Sequence, residues 1–399
     1  MYTLKELFKI GNGPSSSHTM GPKRASLEFN KRYPDCDKVK VILYGSLALT
    51  GKGHLTDKII DETLVKPHEI VFNYLDLPPH PNTVDFIPIK DNKELKRFRV
   101  FSVGGGTIKI ENVPEAVSSH VYLHSSFSSI KEYVIDQNID LASYVYRFDL
   151  KDIKDYLSSI LDQMLQTIDN GLANSGVIQG KLEIKRKANM LYNKKVDDET
   201  KGDMQIRHLY SYAYAVSEEN ADGGVIVTSP TCGSCGVLPA VVKYSMEKYG
   251  ITREKVIDGL AVAGLIGNLV KTNASISGAE AGCQAEVGTA CAMSAAYFSY
   301  VMGANINQIE QASEIALEHH LGLTCDPIMG YVQIPCIERN AVAAIRAVDA
   351  YNLAKLLNSC DQKISFDMVC KTMYETGKDL TSNYRETSQG GLAKTYMGE

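Results

Sequence analysis

Cysteine is the residue type in this chain whose spacing points most directly to chemistry. The chain has nine cysteines, and eight of them lie beyond residue 230. Cys325 and Cys336 bracket a loop with a proline near each end and a glycine between them, a composition that lets the chain fold back and bring both thiols together. Cys283 stands where an apolar helix is predicted to begin, and a helix N-terminus stabilises a thiolate. These three residues form a candidate set of metal-binding thiolates.

Other cysteines and histidines compete with this set. Cys291 follows Cys283 by eight residues on one predicted helix, about 12 Å along its axis, so we assign Cys291 to the core. The Cys232-Gly233-Ser234-Cys235 motif can chelate a metal or cycle as a redox pair, although it lacks the sequence context of thioredoxins. One histidine of the His319-His320 pair could join the two loop cysteines in a zinc site. Adjacent helical residues point about 100° apart, which prevents both histidines from binding.

A polar segment, Lys271 to Gln284, lies between two of the most apolar stretches of the chain. Gly259–Val270 precedes it and Ala285–Phe298 follows it, and both are predicted to be buried helices. Charged and polar groups between buried helices are unfavourable unless they find partners. The segment is therefore a candidate binding site.

A second polar segment, Gly11 to Pro22, contains three serines and a histidine, His18. Its proline suits the first turn of a helix predicted over 23–33, so the segment lies at a helix N-terminus, where an anion is favoured. A histidine among hydroxyls suggests a hydrolase dyad, but no oxyanion or nucleophile-elbow motif accompanies it. Further along, Gly104-Gly105-Gly106 is typical of a tight turn.

Two differently built parts of the chain must position these segments. Proline and glycine clusters separate short runs in the first part and predict strands over 38–43, 69–74, 84–88, 97–103 and 107–110. Helical periodicity dominates the second part and predicts long helices over 153–173, 203–218, 253–271, 285–302 and 339–357. The predicted fold is an α+β N-terminal domain, residues 1–125, followed by a larger all-α domain, residues 126–399.

Composition limits the functional classes. The 399 residues are 44% hydrophobic and 22% charged, which suits a soluble protein of two or three domains. The net charge of −5 and the lack of a basic block argue against a nucleic-acid partner. The longest clean apolar run, Gly259–Val270, is too short to cross a membrane, and the N-terminus has no apolar signal core. We therefore expect a cytoplasmic protein with free thiols.

Several longer motifs resemble those of the iron–sulfur L-serine dehydratases. Ser15–Pro22 resembles the start of the β part of that family, and Thr228–Ser234 and Asn273–Gln284 resemble its α part. Further matches to the α part are Leu323–Pro327, Gln333–Asn340 and Tyr384–Ala393. Together these motifs span nearly the whole chain in one order, as in the single-chain bacterial members. The first domain also resembles the substrate-binding regulatory domain of some phosphoglycerate dehydrogenases, which implies a second serine site there.

The resemblance implies an enzyme that converts L-serine to pyruvate and ammonia. It implies an all-α catalytic domain with a 4Fe–4S cluster held by Cys283, Cys325 and Cys336, and with one iron open to the substrate. That iron would act as a Lewis acid on the serine hydroxyl. No pyridoxal phosphate is needed, because the cluster supplies the electrophile. A homodimer is expected as the common default.

The resemblance also implies an active site between the two domains. His18 and His54 are the candidate bases for the α-proton, since both lie in family-like motifs and histidine titrates near neutral pH. The residues expected to bind the substrate are Ser17, Thr19, Lys271, Asn273, Ser277, Glu280 and Arg385. Among them Arg385 suits a carboxylate, because guanidinium groups bind carboxylates through two hydrogen bonds.

Three alternatives stay open. An enzyme of the same fold could eliminate sulfide from L-cysteine or act on L-threonine, and the sequence does not reveal the size of the pocket. A non-catalytic serine or iron–sulfur sensor is the third hypothesis, and it requires a partner surface that the sequence does not display.

Overall fold

The structure is a computed structural model that describes residues 1–76, 78–114, 120–357, 362–388 and 390–396. The elements of its first part are β1 (Ile10–Asn12), α1 (Gly21–Arg32), β2 (Lys38–Tyr44), α2 (Gly45–Leu49), α3 (Thr56–Thr63), β3 (His68–Asn73), β4 (Thr83–Lys90), β5 (Lys93–Glu94), β6 (Phe98–Ser102) and β7 (Ile108–Ile110). Strands β2 to β7 form one sheet with the order β3-β2-β4-β6-β7, and β5 pairs with β4. Only the pairing of β2 with β3 is parallel.

Alternation along β2 explains why this sheet buries one face. Val39, Val41 and Leu43 are buried in a single core with the apolar side of α1 and α3. Phe29 of α1 stacks on Phe86 of β4, with the ring centroids 5.1 Å apart. Period-two burial of this kind is the signature of a sheet with one covered face.

The second part is helical except for one short strand among its described residues. Its elements are α4 (Phe127–Asp136), α5 (Leu141–Phe148), α6 (Ile153–Ala173), α7 (Ala188–Asn193), α8 (Lys201–Ala221), β8 (Val225–Val227), α9 (Val237–Tyr249), α10 (Arg253–Asn273), α11 (Gly278–Ala281), α12 (Thr289–Val301), α13 (Ile306–Glu318), α14 (Cys336–Leu356), α15 (Phe366–Asp379) and α16 (Gly391–Tyr396). The predicted fold class, α+β followed by a larger all-α part, is confirmed.

Helices α10 and α12 pack closely at the centre of the helical part because small residues line their contact. A Cβ at Gly259 of α10 would lie 2.7 Å from the Tyr297 ring of α12, and one at Gly267 would lie 2.7 Å from the Met293 sulfur. Side chains larger than hydrogen are therefore excluded at both positions. Apolar as these helices are, none in the described ranges combines the length and hydropathy needed to span a bilayer.

The N-terminal segment crosses from the sheet-bearing part into the helical core. Leu4, Leu7 and Phe8 are fully or almost fully buried there, and β1 pairs antiparallel with β8. The segment forms a single 3₁₀ turn, Leu4–Glu6, and then becomes extended to pair with β8. The division near residue 125 stays a prediction.

Candidate active site

A cavity of about 450 Å³ lies between the sheet-bearing part and the helical part, where a site was predicted. Its wall includes five of the predicted catalytic or substrate-binding residues, namely Ser17, His54, Lys271, Ser277 and Glu280. It also includes two of the three predicted cysteine ligands, Cys325 and Cys336. Polar groups from both parts of the chain therefore line one cavity.

His54 lies on the wall of this cavity. Its Nδ1 lies 3.2 Å from Thr50 Oγ1, and that hydroxyl donates its only proton to the carbonyl oxygen of Ser46, 2.9 Å away. Nδ1 must therefore carry the imidazole proton, which leaves the lone pair on Nε2. Burial lowers the pKa of His54 to about 4, so the ring is neutral at neutral pH. A neutral imidazole with this tautomer can accept a proton at Nε2.

His18 lies behind this wall. It is fully buried, with Nε2 at 2.9 Å from Ser46 Oγ and Nδ1 at 2.8 Å from Ser17 Oγ. Its ring packs 4.5 Å from that of His54. Burial, followed by the neighbouring His54, holds the pKa of His18 well below its ordinary value. These contacts orient Ser17 and His54, and His18 is not among the residues that line the cavity.

Lys271 brings a positive charge to the helical wall. Its Nζ donates to the carbonyl oxygen of Glu6 at 2.9 Å, which ties the end of α10 to the N-terminal segment. The pKa of Lys271 is lowered to about 8. Burial is the main cause and the charge of Lys9 adds to it, while the Glu6 carboxylate opposes both effects. The ammonium is therefore poorly hydrated and favours an anionic partner.

Hydrogen bonds from the turn before α11 fix the carboxylate of Glu280, which lines the cavity. Glu280 Oε2 accepts a hydrogen bond from Ser275 Oγ at 2.5 Å, and the Ser277 amide donates to the same serine oxygen at 3.0 Å. Arg385 Nη1 donates to the carbonyl oxygen of Glu280 at 3.3 Å. The predicted loop between α10 and α12 thus contains a short helix, and its polar groups bond to one another.

Three predicted substrate-binding residues are not on the cavity wall. Thr19 Oγ1 donates to the carbonyl oxygen of His54 at 2.8 Å. Asn273 Nδ2 donates to the carbonyl oxygens of Ser125 and Leu269, at 2.7 and 3.0 Å, and Arg385 supports the α11 turn. These bonds fix the backbone around the cavity, and direct contact of the three side chains with substrate stays a prediction.

The three predicted cysteine ligands come from three separate segments. Cys283 is 3% exposed and accepts a hydrogen bond from Arg339. Burial raises the pKa of all three thiols, to about 11 for Cys283, and for Cys325 the Glu286 carboxylate and the other two thiols add to the effect. Such mutual effects require that the three thiols share one neighbourhood. In the described ranges, no group of three or more His, Cys, Asp or Glu side chains is arranged to hold a metal ion.

The loop between Cys325 and Cys336 folds back as predicted. The amide of Ile328 donates to the carbonyl oxygen of Ile334 at 3.0 Å, which closes the loop. The backbone of Cys325 makes two hydrogen bonds with the tail segment 384–387. Its amide donates to the carbonyl oxygen of residue 384 at 2.8 Å, and its carbonyl oxygen accepts from the amide of residue 387 at 3.1 Å. This pairing brings Glu386 of the tail to the cavity wall.

The competing cysteines and histidines lie in packed or helical surroundings. Cys291 is fully buried and bonds a backbone carbonyl of α14 at 3.3 Å, as expected of a core residue. Cys232 and Cys235 are each 1% exposed, and burial raises the pKa of both. Nδ1 of His319 and of His320 each bonds a backbone carbonyl oxygen of α13. None of these five side chains lines the cavity.

Three acidic residues on the cavity wall were not predicted from the sequence, namely Glu6, Glu286 and Glu386. Glu286 accepts a hydrogen bond from Thr231 Oγ1 at 2.7 Å, and burial raises its pKa. Burial, and then the charge of Glu286, raises the pKa of Glu386 to about 8. Glu286 is the only charged residue in the apolar stretch 285–298, which was the available signal. No local pattern in the sequence marked Glu386, because only folding brings the tail to the cavity.

The cavity therefore offers complementary groups to a small zwitterion. Lys271 supplies a positive charge, Glu280 supplies a carboxylate, and His54 supplies a neutral base. A cluster of thiols borders the same space. Such an arrangement can bind an α-amino acid and accept a proton from it.

Two family models match this chain. The family model described as the serine dehydratase beta chain matches residues 3–66, and that of the serine dehydratase alpha chain matches residues 87–393. The two matches follow the chain in the order that its motifs suggested. The stretch between the two matches, residues 67–86, contains β3 and the first half of β4.

Curated bacterial proteins are similar over almost their full length. The chain is 38% identical to L-serine dehydratase 2 of Escherichia coli (strain K12), with 98% of each chain covered. It is 36% identical to the L-serine dehydratase of Haemophilus influenzae, with 98% of this chain and 99% of the relative covered. For the L-serine dehydratase of Helicobacter pylori (strain ATCC 700392 / 26695) the identity is 37%, with 99% of each chain covered. By these matches and by its motifs, the chain belongs to the serine dehydratase family.

Proposed function

We propose that this protein is an L-serine dehydratase, which converts L-serine to pyruvate and ammonia. The observation that carries the proposal is His54, a neutral histidine on the wall of a cavity bordered by thiols, whose Nδ1 is bonded to Thr50. The relatives described above carry the same activity in their names. Residues from both family-matched segments border this cavity.

His54 is the proposed base. Its Nε2 takes the α-proton of L-serine, the β-hydroxyl leaves as water, and the aminoacrylate that forms tautomerises to an imine that water hydrolyses. Burial keeps the ring deprotonated before substrate enters. The substrate carboxylate then raises the pKa of the imidazole, which makes it a stronger base when it is needed.

The other predicted residues hold the substrate or the base. Glu280 pairs with the substrate ammonium, and the charge of Lys271 offsets that of the carboxylate. Ser17 and Ser277 border the same space and offer hydrogen bonds. His18 is a positioning residue that sets the orientation of Ser17 and His54. The proposed roles of Thr19, Asn273 and Arg385 are to fix the backbone that carries these groups.

A 4Fe–4S cluster is the proposed cofactor, held by Cys283, Cys325 and Cys336. The donor set fits it: the buried Cys283 and Cys325 and the half-buried Cys336 share a neighbourhood, and Arg339 offsets part of the negative charge that thiolates would bring. These thiols are not arranged as a single-ion site, and a cluster is a larger body than one ion. When bound, the cluster supplies a Lewis acid that eases departure of the hydroxyl. The proposal gives no role to pyridoxal phosphate.

The test is anaerobic purification, iron and sulfide analysis, and assays of pyruvate from L-serine, sulfide from L-cysteine and 2-oxobutyrate from L-threonine. We expect iron and sulfide, with the largest kcat/KM for L-serine and loss of activity in air. Full activity in iron-free protein would contradict the cofactor proposal. A protein that binds L-serine and iron but releases no pyruvate would favour the sensor hypothesis.

The assembly and location of the protein are further parts of the proposal. We infer a cytoplasmic homodimer of two-domain chains divided near residue 125, in line with the motifs and the composition. Light scattering of the purified protein would test the dimer. A mass of one chain, 43.8 kDa, would contradict it.

A further inference from the structure

The turn His80-Pro81-Asn82 contributes two polar side chains to the cavity that the mechanism above does not use. It lies immediately before β4, and both His80 and Asn82 line the cavity wall. The motif gave no signal in the sequence, because a histidine and an asparagine beside a proline are typical of any surface turn. In the folded chain the turn faces the substrate space from the sheet-bearing part.

Backbone hydrogen bonds hold this turn rigidly. The carbonyl oxygen of Pro81 accepts from the Ser46 amide at 2.8 Å, and that of Asn82 accepts from the Ser102 amide at 2.9 Å. Gly45, with a φ of +52°, packs so closely under Pro81 that a Cβ there would overlap the proline carbonyl oxygen. A turn fixed by α2 and β6 can hold a ligand group with little loss of entropy.

Hydrogen bonding determines which nitrogen of His80 faces a ligand. The backbone amide of Asn82 donates to His80 Nδ1 at 3.0 Å. Nδ1 is therefore an acceptor, and the imidazole proton resides on Nε2. Burial lowers the pKa of His80 and the charge of Lys109 acts in the same direction, against the opposing effects of the Asn82 hydrogen bond and the charge of Glu280. His80 is thus a neutral side chain that donates at Nε2 and cannot serve as a base there, the opposite of His54.

The Nε2–H group of His80 selects the kind of ligand group. The cavity wall holds two lysines, Lys109 and Lys271, but also four glutamates, so its overall charge does not select an anion. The neutral Nε2–H donor itself favours a hydrogen-bond acceptor. Asn82 is 8% exposed, and its Oδ1 has no hydrogen-bond partner in the described part of the chain. A buried polar group left unpaired on a cavity wall indicates that a polar ligand enters here. Because Oδ1 is an acceptor, it suits the ammonium of an amino acid, whereas the carboxylate of the same molecule suits the Nε2–H donor of His80.

We propose that His80 binds the carboxylate of the amino acid substrate through its Nε2–H group. The identity of the substrate rests on the proposed function, but the class of ligand group does not. The backbone amide of Asn82 acts as the positioning group, since it fixes the tautomer. His54 and His80 then divide the work: one imidazole removes the α-proton, and the other holds the carboxylate on the same α-carbon.

The experiment compares His80→Phe, which keeps a ring but has no donor, with His80→Gln, whose amide N–H reaches a similar position. The matched control is His68→Phe in β3, because His68 bonds Asp61 outside the cavity. Each anaerobically purified variant is assayed for kcat and KM with L-serine. Competitive inhibition is measured with glycine, which has a carboxylate, and with ethanolamine, which has none.

For His80→Phe we expect the KM for L-serine and the inhibition constant of glycine to rise about tenfold, since one charge-assisted hydrogen bond is lost. The ethanolamine constant should change by less than about twofold on the same scale, and His80→Gln should recover part of the loss. The decrease in kcat at low pH should persist in His80→Phe, because it arises from protonation of His54. An equal loss for glycine and ethanolamine, or a fall in kcat at unchanged KM, would overturn the proposal.

Glycine binding followed by calorimetry tests His80 without turnover. If the wild-type protein makes no pyruvate, the proposed function fails. The role of His80 still stands if glycine binds the wild type and binds His80→Phe about tenfold more weakly. Equal binding of glycine to the two proteins would refute the assignment of His80 whatever the outcome of the pyruvate assay.

Discussion

Replacement of Thr50 by valine should disable His54 without touching the substrate. The Thr50 hydroxyl accepts the Nδ1–H of His54 and donates to the carbonyl oxygen of Ser46. In Thr50→Val that carbonyl keeps a partner, because it still accepts from the backbone amide of residue 50 at 3.0 Å. The only group left unpaired is the Nδ1–H of His54, unless the proton moves to Nε2. The variant must therefore either bury an unpaired donor or block the basic nitrogen.

The size of the effect follows from that choice. Leaving a buried donor unpaired costs about 1–3 kcal/mol. The tautomer with the proton on Nε2 avoids this cost. The reactive tautomer, with the proton on Nδ1, is therefore less stable than the other by the same free energy. A difference of about 1–3 kcal/mol corresponds to a fall in kcat of about 5- to 150-fold. The KM for L-serine should change little, because Thr50 is not among the residues that line the cavity.

The assay is steady-state pyruvate formation by anaerobically purified Thr50→Val, Thr50→Ser and Thr63→Val at equal iron content. Thr50→Ser keeps the hydroxyl and should retain most of the activity. Thr63 of α3 makes the same type of bond to the carbonyl four residues earlier, at 2.5 Å, but accepts nothing from a histidine, so Thr63→Val should behave as wild type. Wild-type kcat in Thr50→Val, or equal losses in Thr50→Ser and Thr50→Val, would refute the tautomer argument.

Three further predictions concern stability and the thiols. The pKa of His54 falls from 6.5 to about 4 on folding. The contribution of this residue to the free energy of unfolding is therefore complete above pH 6.5 and is lost as the pH falls toward 4. The loss is about 2 kcal/mol between pH 7 and pH 5. Urea unfolding should detect this loss in the wild type and a smaller one in His54→Gln. Gly259→Ala should cost about 1–3 kcal/mol by overpacking α10 against α12, whereas Gly202→Ala, where a Cβ meets nothing closer than 3.6 Å, should not destabilise; equal unfolding midpoints would contradict this. Cys325→Ser should lose bound iron and Cys291→Ala should keep it, as measured by iron analysis, and iron loss in Cys291→Ala alone would reverse the assignment.

Local patterns predicted the regular elements well. The helix α6 was predicted over 153–173 and is observed as Ile153–Ala173, because apolar residues recur with the helical period along its whole length. The five strands predicted in the first part correspond to β2, β3, β4, β6 and β7. Periodicity is a local property, so elements that depend on it can be found without knowledge of the fold.

Elements that depend on distant partners were not predictable in this way. Strand β8 has three residues and exists because β1, over 200 residues earlier, pairs with it. The helix α3 was missed because eight mixed residues after a glycine-rich loop carry little helical signal. The extended course of the N-terminal segment has the same origin as β8. Long-range pairing, rather than local propensity, decides these structures.

The candidate site divides along the same line. Cys283, Cys325 and Cys336 could be selected from spacing and loop composition, and the structure gives them a common neighbourhood. Residues such as Glu386 and His80 carry no local signal, because other segments bring them to the cavity. Sequence alone also could not separate His18 from His54. Both sit in similar motifs, and only the packing puts one behind the wall and the other on it.

The central claim is that His54 is the base of an L-serine dehydratase, and one measurement tests it most directly. Pyruvate formation from L-serine is followed for anaerobically purified wild type and His54→Ala with equal iron and sulfide content. The account predicts turnover by the wild type and a loss of about 10²- to 10⁴-fold in kcat for the variant, the usual contribution of a general base. Near-full turnover by His54→Ala, or no pyruvate from the iron-loaded wild type, would contradict it.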